Sequence, residues 1–251
     1  MPRITPFRLA AVCMLALSIP LVPAAAAMGK GVPVTVRVVG TAGKVLAEKP
    51  VAAKTTTIPT SPKATCFGKG TGGSGKPVTL PGATALGALG EAVGADSVLR
   101  PLLVTDHFSF GIAICGVGGD LVKAGSESSW YLKVNHRAQS VGGDQVKLHA
   151  GDEVLWDLAP SYPYPDELAL SAPAKATAGQ PFTVRAFSYD EKGKRTPAAG
   201  VAVTGAAMPT GSDGRTTVTL SKPARLVATA SDEITSARVP VCLGGKCPGG
   251  R

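Results

Sequence analysis

Residues 128–157 read SSWYLKVNHRAQSVGGDQVKLHAGDEVLWD, and this stretch decides how the first half of the chain folds. It contains three short runs with strand character, bounded by Gly, Asp and Asn turn residues. The predicted strands are Trp130–Asn135, Asp144–Leu148 and Glu153–Leu158. Consecutive strands joined by short turns form a β-meander, so we expect one here.

The first predicted strand alternates between apolar and polar residues. Successive strand residues point to opposite sides of a sheet, so the strand has two distinct faces. Its apolar face comprises Trp130, Leu132 and Val134, and its polar face comprises Tyr131, Lys133 and Asn135. We expect the apolar face to be buried and the polar face to meet water. Trp130 and Trp156, the two tryptophans of the chain, are expected on the buried side.

Residues 1–27 have the pattern of a secretory signal peptide. Arg3 and Arg8 precede the apolar run Leu9–Val22, and a group of alanines follows. The 14 residues of that run are fewer than the about 20 that a membrane-spanning helix needs. We therefore predict cleavage between Ala26 and Met28, no membrane span, and a secreted, extracellular or cell-envelope location.

The remaining chain is basic but carries no nucleic-acid motif. The formal net charge is +9, and removal of the two signal-peptide arginines leaves 24 − 17 = +7. Lysines such as Lys54, Lys63, Lys69 and Lys76 are scattered singly among Gly, Thr and Pro, without a basic helix or a basic-aromatic stripe. This distribution argues against nucleic-acid binding and indicates a cationic surface that can face an acidic cell envelope.

Four cysteines follow the signal peptide: Cys66, Cys115, Cys242 and Cys247. An even count in an exported chain indicates disulfides, and three pairings are possible. Their positions favour local pairing, Cys66 with Cys115 and Cys242 with Cys247. A four-cysteine zinc site would need paired C-x₂-C segments, which the sequence lacks.

Other segments of the first half also have recognisable patterns. We predict a hairpin from Val32–Val39 and Lys44–Ala52, a loop over Thr55–Lys76, a helix with Thr84 as N-cap that ends near Gly94, and strands over Val104–His107 and Phe108–Cys115. The helix contains Gly87 and Gly90, each of which weakens it by about 1 kcal/mol relative to Ala. Tertiary packing must therefore hold it in place.

The YPYP segment, Tyr162–Pro165, marks a domain boundary. After it, strand patterns recur at Glu167–Ser171, Pro181–Tyr189, Val201–Thr204, Arg215–Leu220 and Ala224–Ala230. Regular short strands of this kind predict an all-β immunoglobulin-like sandwich. The predicted organisation is a signal peptide over 1–27, an α+β domain with one packed helix over 28–160, a Pro-rich linker over 161–165, the sandwich over 166–240 and a Cys-containing tail over 241–251.

Two resemblances support this division. TALGALGEAVG, FGIAICGVGG and WYLKVN, followed by G-D-x-V-x-W, resemble the DUF4430 family, which is related to the C-terminal domain of transcobalamin, and the resemblance covers roughly Val32 to Leu158. It implies a small α+β domain and raises cobalamin, a corrinoid, as a ligand, although transcobalamins hold cobalamin together with a helical barrel that has no counterpart here. Family members usually carry Gly where this chain has His136. AGQPFTVRAFSYD and SDGRTTVTL resemble bacterial Ig-like modules.

No catalytic or metal-binding pattern is evident. The histidines are His107, His136 and His149; Asp106 and His107 are adjacent on a predicted strand and so point to opposite faces, and no G-x-S-x-G segment or metal-type histidine spacing is present. The acidic residues Asp144, Asp152, Glu153 and Asp157 fall at predicted turns and strand ends, where turn formation explains them. We therefore expect no enzyme activity, no cofactor and no metal.

The best candidates for a ligand surface are His107 and Phe108 at a strand edge, and Tyr131 on the polar face of its strand. The leading hypothesis is an exported monomeric binding protein whose partner is a small ligand or an envelope protein or polysaccharide. The alternatives are a structural component of an envelope assembly, a corrinoid-binding protein by family resemblance, and a small secreted hydrolase.

Overall fold

The computed structural model describes residues 31–249, so the predicted signal peptide lies outside the described residues. Within this range the chain is mostly β-structure arranged in several small sheets, with one α-helix. This agrees with the predicted combination of strands and a single packed helix. Both predicted disulfides, Cys66–Cys115 and Cys242–Cys247, are confirmed.

The elements up to residue 160 surround a central sheet. In chain order they are β1 (Val32–Val39), β2 (Val45–Ala53), β3 (Thr56–Pro59), β4 (Pro77–Leu80), α1 (Ala85–Ala95), β5 (Leu102–Thr105), β6 (Ala113–Val117), β7 (Asp120–Leu121), β8 (Ser129–Val134), β9 (Arg137–Ala138) and β10 (Glu153–Ala159). The predicted first hairpin is formed by β1 and β2.

The central sheet has the strand order β2-β1-β10-β8-β9. Strand β1 runs parallel to β10, and β8 runs antiparallel to β10. Val38, Trp156 and Leu132 are register partners across these three strands, so they share one face. Helix α1 covers this face with Leu86 and Leu89, and the five side chains belong to the largest core cluster. Trp130 is partly buried against the same cluster, so both tryptophans lie on the expected side.

Helix α1 begins as predicted. The Thr84 side chain accepts a hydrogen bond from Gly87 N at 3.1 Å, which satisfies one of the free N–H groups of the first turn. Gly90 faces β3, and a Cβ built there would lie 2.9 Å from Ile58 Cγ2. The helix can therefore approach β3 closely only because residue 90 has no side chain.

The prediction of a strand over Asp144–Leu148 is wrong. This segment forms turns and one isolated bridge, from Lys147 to Thr84, and β8 pairs directly with β10. Carbonyl groups of this segment and of the preceding Gly143 instead accept hydrogen bonds from the first turn of α1. Ala85 N donates to Val146 O at 3.0 Å, and Leu86 N donates to Gly143 O at 2.9 Å. The first N–H groups of a helix lack partners within the helix, so the segment forms a second cap for α1.

Two further boundaries differ from the prediction. Thr56–Pro59 was expected to be loop but forms β3, which pairs with β4. The predicted strands Val104–His107 and Phe108–Cys115 are displaced: β5 ends at Thr105 and β6 begins at Ala113, because residues 106–112 connect them outside the sheet. Asp106 begins this connection, and its carboxylate accepts hydrogen bonds from Ser74 N and Ser74 Oγ, both at 2.7 Å.

His136 occupies the tight turn between β8 and β9. Asn135 and His136 have φ angles of 49° and 66°, and Val134 pairs with Arg137 across the turn. A two-residue turn with both φ angles positive matches the twist of a hairpin and usually contains Gly. The His136 ring stacks on Tyr189 at 3.9 Å between centroids, so this side chain has a contact that glycine would lack.

The elements after residue 165 are all strands. They are β11 (Glu167–Ser171), β12 (Lys175–Ala176), β13 (Pro181–Tyr189), β14 (Arg195–Pro197), β15 (Ala202–Val203), β16 (Arg215–Thr219), β17 (Ala224–Leu226), β18 (Ala228–Thr229) and β19 (Val239–Leu243). Strand β13 pairs with β11, β14 and β16, while β19 pairs with β12 and β17, and β15 pairs with β18. A second apolar core, with Leu168, Val184 and Leu226 fully or almost fully buried, lies among these strands.

Strand β19 crosses the predicted boundary at residue 240. Val241 and Leu243 are buried in the second core, and Cys242 lies between them. Residues 241–243 therefore belong to the sheet structure, whereas the sequence analysis assigned them to a tail. The disulfide from Cys242 to Cys247 closes the turn that follows this strand.

The polar face of β8 is buried, which contradicts the expected solvent exposure. Tyr131 and Lys133 are 5% and 0% exposed. Tyr131 contributes to a third core cluster with Val39, Leu155 and Ile234, which joins the central sheet to the second half of the chain. The central sheet is thus covered on both faces, by α1 on one and by the second half on the other.

Candidate functional site

An aromatic patch is formed by the contacting rings of Phe67, His107, Phe108 and Phe110. Phe108 stacks on Phe110 at 4.9 Å between centroids and meets Phe67 and His107 edge to face at 5.4 Å and 5.2 Å. Phe67 is 47% exposed and Phe110 is 65% exposed. His107 and Phe108 were predicted from the sequence as ligand-surface residues, and the rings of Phe67 and Phe110 join them in the structure.

Covalent and polar contacts hold this patch in place, although it lies on loops. Phe67 follows Cys66, whose disulfide ties its loop to Cys115 in β6. Gln145 Nε2 donates to Phe110 O at 2.7 Å, and His107 N donates to Thr105 Oγ1 at 3.2 Å. The rings are therefore presented on a constrained surface rather than on a free loop.

The electrostatic surroundings of the patch are mixed. Lys63 and Lys69 are exposed on the loop that carries Phe67. On the other side, Asp106 precedes His107, and the hydrogen bonds from Ser74 lower the pKa of Asp106 below its ordinary value. The arrangement combines apolar ring area with charges of both signs at its edge, as protein recognition surfaces do.

Tyr131, the third predicted ligand-binding residue, is not part of this surface. Its ring is buried and stacks on Tyr164 of the linker at 4.2 Å between centroids. Burial, together with nearby Glu191, raises the pKa of the Tyr131 hydroxyl. The prediction failed because the second half of the chain covers the face that the alternation assigned to water.

The three histidines contact different groups. His107 lies in the aromatic patch, His136 contacts Tyr189, and the 87% exposed His149 side chain lies 3.8 Å from Asp152. Asp152 also accepts a hydrogen bond from Asn135 Nδ2 at 2.8 Å, which agrees with its expected role in a turn. Among residues 31–249, no group of three or more His, Cys, Asp or Glu side chains is arranged to hold a metal ion.

A buried ionic cluster joins the two halves of the chain, and the sequence analysis did not predict it. Arg37 of β1 donates hydrogen bonds to the carboxylate of Glu167 and to Thr235 O. Lys133 Nζ lies 3.4 Å from Glu167 Oε2, and His136 Nδ1 lies 3.0 Å from Glu167 Oε1. Glu167 opens β11, directly after the linker, so three positions on the central sheet converge on the start of the second half.

The charges in this cluster offset one another. Burial opposes ionisation of Glu167, but contact with His136 and the positive charges of Arg37 and Lys133 outweigh it, so the pKa of Glu167 is lowered. Burial lowers the pKa of Lys133, and the charge of Glu167 opposes this shift. The void beside Arg37, His136 and Glu167 holds about 20 Å³, which is room for about one water molecule. The cluster therefore holds the two halves of the chain together, and it leaves no space for a ligand.

No model of a known protein family matches the sequence, and no curated protein matches it at a significant level. Among the described residues, no helix has the length and apolar character that crossing a bilayer requires.

Proposed function

We propose that this protein is an exported, non-enzymatic binding protein that recognises an envelope protein or polysaccharide through the aromatic patch. The observation that carries the proposal is the exposure of Phe67 and Phe110 within a cluster of four contacting rings. Large apolar side chains that are clustered and exposed mark interaction sites far more often than scattered ones do.

The energetics of the patch suit a recognition role. Complete burial of one Phe side chain contributes roughly 1.5–3 kcal/mol, so the exposed rings can supply several kcal/mol when a partner covers them. The loops are already held by the Cys66–Cys115 disulfide and by the Gln145 hydrogen bond. Little ordering entropy is therefore lost on binding, which favours affinity.

The charge of the protein favours an acidic partner. Without the two arginines of the predicted signal peptide the formal net charge is 24 − 17 = +7, and Lys63 and Lys69 lie exposed on the loop that carries Phe67. A positive surface increases the rate of encounter with anionic envelope polymers or acidic proteins. Export is part of the same proposal, because two disulfides suit an oxidising compartment and residues 1–27 have a signal-peptide pattern.

The proposal also includes the finer fold assignments. We infer that residues 28–160 form a DUF4430-like domain that presents the patch, and that the strands after residue 165 form an immunoglobulin-like sandwich that acts as a spacer. The helix on one face of the central sheet supports the first assignment, and the two strand groups around β13 and β19 support the second. Comparison with an experimental structure of a DUF4430 protein would test the first assignment.

A capture experiment tests the function. The mature protein and its Phe67→Ser, Phe110→Ser double variant are immobilised and exposed to envelope extract and, separately, to purified peptidoglycan. The matched control is Met208→Ser, since Met208 is 72% exposed and belongs to the other half of the chain. We expect a partner to bind the wild type and the control but not the double variant.

Two outcomes would overturn this proposal. Equal capture by all three proteins would show that the rings do not form the recognition surface. Saturable binding of cyanocobalamin by the wild type, unaffected by the double variant, would favour the corrinoid alternative.

A further inference from the structure

A cavity of about 820 Å³ lies between the two halves of the chain, apart from the aromatic patch. Its walls come from the β1–β2 turn, the segment before β8, the end of β10, the Pro-rich linker and the segment before β19. Its lining includes Lys123, Asp157, Asp232 and Glu233, together with the apolar residues Leu158 and Ile234. Cavities of about 300–1,000 Å³ are typical of small-molecule sites, so this space is large enough for an organic ligand.

Acidic residues outnumber basic residues in the lining of the cavity. Three carboxyl groups, Asp157, Asp232 and Glu233, line it, against one ammonium group, that of Lys123. The chain as a whole has a formal net charge of +9. A local excess of carboxyl groups in a basic protein therefore distinguishes this cavity from the surrounding surface.

Asp157 is a buried residue of the cavity lining. It is 4% exposed, and among the described residues its carboxyl group is influenced by burial and by charges, with no hydrogen bond among these influences. Arg37, Lys133 and Glu167 act on it only through longer-range electrostatics. A buried carboxyl group without a partner either keeps its proton or pairs with a cation, and Asp157 lines a cavity that such a cation can enter.

Glu233 gives an independent sign of the same kind. Its Oε1 accepts a hydrogen bond from Ser188 Oγ at 2.8 Å, while its Oε2 is buried with no hydrogen-bond partner. Burial raises the pKa of Glu233, and the negative charge of Asp232 adds to the shift. Asp157 and Glu233 come from different halves of the chain and both line the cavity, and Glu233 keeps one carboxylate oxygen without a hydrogen bond.

We propose that this cavity binds a small organic cation, a primary ammonium or guanidinium group carried on an apolar chain. The carboxyl groups of Asp157 and Glu233 would accept charge-assisted hydrogen bonds from the cationic group. Leu158, Pro163 and Ile234 would contact its methylene groups. An anion would meet the carboxyl groups unfavourably, and a neutral hydroxyl or amide ligand would form weaker hydrogen bonds to them than a cation does.

Calorimetric titration of the mature protein with agmatine and 1,5-diaminopentane tests the proposal. 1,5-Pentanediol is the neutral control, because it keeps the chain length and removes the charge. Asp157→Asn removes one carboxylate and should weaken binding roughly ten- to hundredfold, the loss expected for a charge-assisted hydrogen bond. Asp213→Asn is the matched control, since Asp213 is an exposed turn carboxylate outside the cavity.

A second variant tests the location of the binding site without changing any charge. Ser231→Trp places a bulky side chain in the cavity lining at an exposed position, so the fold should tolerate it while the cavity is filled. We expect it to abolish binding of both cations. A parallel titration with a lysine peptide, acetylated and amidated at its ends, distinguishes two sources of the cation. If the peptide binds more tightly than the free amines, the natural ligand is a basic side chain of a partner protein.

Absence of saturable binding by either cation and by the peptide would overturn the proposal, as would affinities that Asp157→Asn and Ser231→Trp leave unchanged. Equal binding of the diol would show that the cavity takes up apolar chains without regard to charge, and would also overturn it. The Phe67→Ser, Phe110→Ser variant should bind the cations normally, so this result is separable from the capture experiment.

Discussion

Lys133 Nζ lies 3.4 Å from Glu167 Oε2, which places the charge of a central-sheet lysine against the first strand after the linker. The Lys133 side chain is fully buried and also donates to Tyr189 O at 3.0 Å and Asp190 O at 3.3 Å. All of its close polar contacts thus come from the second half of the chain. The two halves are therefore coupled by a desolvated ionic contact as well as by apolar packing.

Glu167→Gln should strongly destabilise the protein. The change leaves Arg37 and Lys133 buried with their shared carboxylate removed, and breaking one partner out of a buried ionic cluster costs about 3–5 kcal/mol. Urea unfolding followed by tryptophan fluorescence measures the loss. Glu127→Gln, at an exposed position, is the control and should change the unfolding free energy little. A loss no larger than that of the control would mean that the cluster is solvated in solution.

Asp157→Asn should change how stability depends on pH. Burial, opposed by Arg37 and Lys133, raises the pKa of Asp157 to about 7, whereas an unfolded aspartate titrates near about 3.9. Between these values the folded state keeps a proton that the unfolded state has released, so the unfolding free energy falls as the pH rises through this interval, by up to about 4 kcal/mol. Above about pH 7 this contribution is constant.

The asparagine variant lacks this fall, so it should match the wild type at about pH 4 and be more stable at about pH 8. Urea midpoints measured across that range, without added amine, test the difference. Charged or titratable groups that face or neighbour Asp157 are present in both proteins; they are Arg37, Lys123, Tyr131, Lys133, Glu167, Asp232 and Glu233. Glu167, whose pKa is lowered, contributes in the opposite sense, with stability lost as the pH falls. Parallel curves for the two proteins would contradict the prediction.

The two disulfides should contribute unequally. The Cys66–Cys115 bond closes a loop with a sequence separation of 49, and the Cys242–Cys247 bond one of 5. Restriction of the unfolded chain by loops of these lengths corresponds to about 4 and about 2 kcal/mol. We therefore expect Cys66→Ser, Cys115→Ser to lower the urea midpoint more than Cys242→Ser, Cys247→Ser. The first pair should also weaken capture of the partner, because it frees the loop of Phe67.

Alanine substitutions in α1 should have opposite effects at two glycines. A Cβ at position 94 would meet nothing within 4 Å, so Gly94→Ala should stabilise the helix by up to about 1 kcal/mol. A Cβ at position 90 would lie 2.9 Å from Ile58 Cγ2 and 3.3 Å from Thr56 Cγ2, and overpacking of this kind costs typically about 1–3 kcal/mol. Thermal unfolding of the two variants measures whether each substitution raises or lowers the stability of the protein. Stabilisation by both substitutions would show that β3 moves away from the helix at little cost.

Several features of the fold could be predicted because they depend on nearby residues. The β1–β2 hairpin, the Thr84 cap and the two disulfides follow from local polarity patterns, a capping hydroxyl and cysteine spacing. The Asp144–Leu148 prediction failed because its backbone groups had two possible partners, a neighbouring strand or the free N–H groups of α1. The sequence alone does not rank these two partners.

The candidate sites show the same division. His107 and Phe108 were found from their own residue types, whereas Phe67 joins them across 40 residues of chain through the Cys66 loop. The cavity beside Asp157 had no signal in the sequence, because Asp157 and Glu233 belong to different halves of the chain and meet only in the folded structure. Asp157 was placed near the end of the predicted strand Glu153–Leu158, and it lies within β10.

The sequence by itself determined which side chains of β8 share a face, because alternation is a property of the strand backbone. Only the tertiary structure decided what covers that face. Tyr131 and Lys133 are buried because the second half of the chain brings Tyr164 and Glu167 over them, and the carboxylate of Glu167 compensates the charge that burial would otherwise leave unpaired.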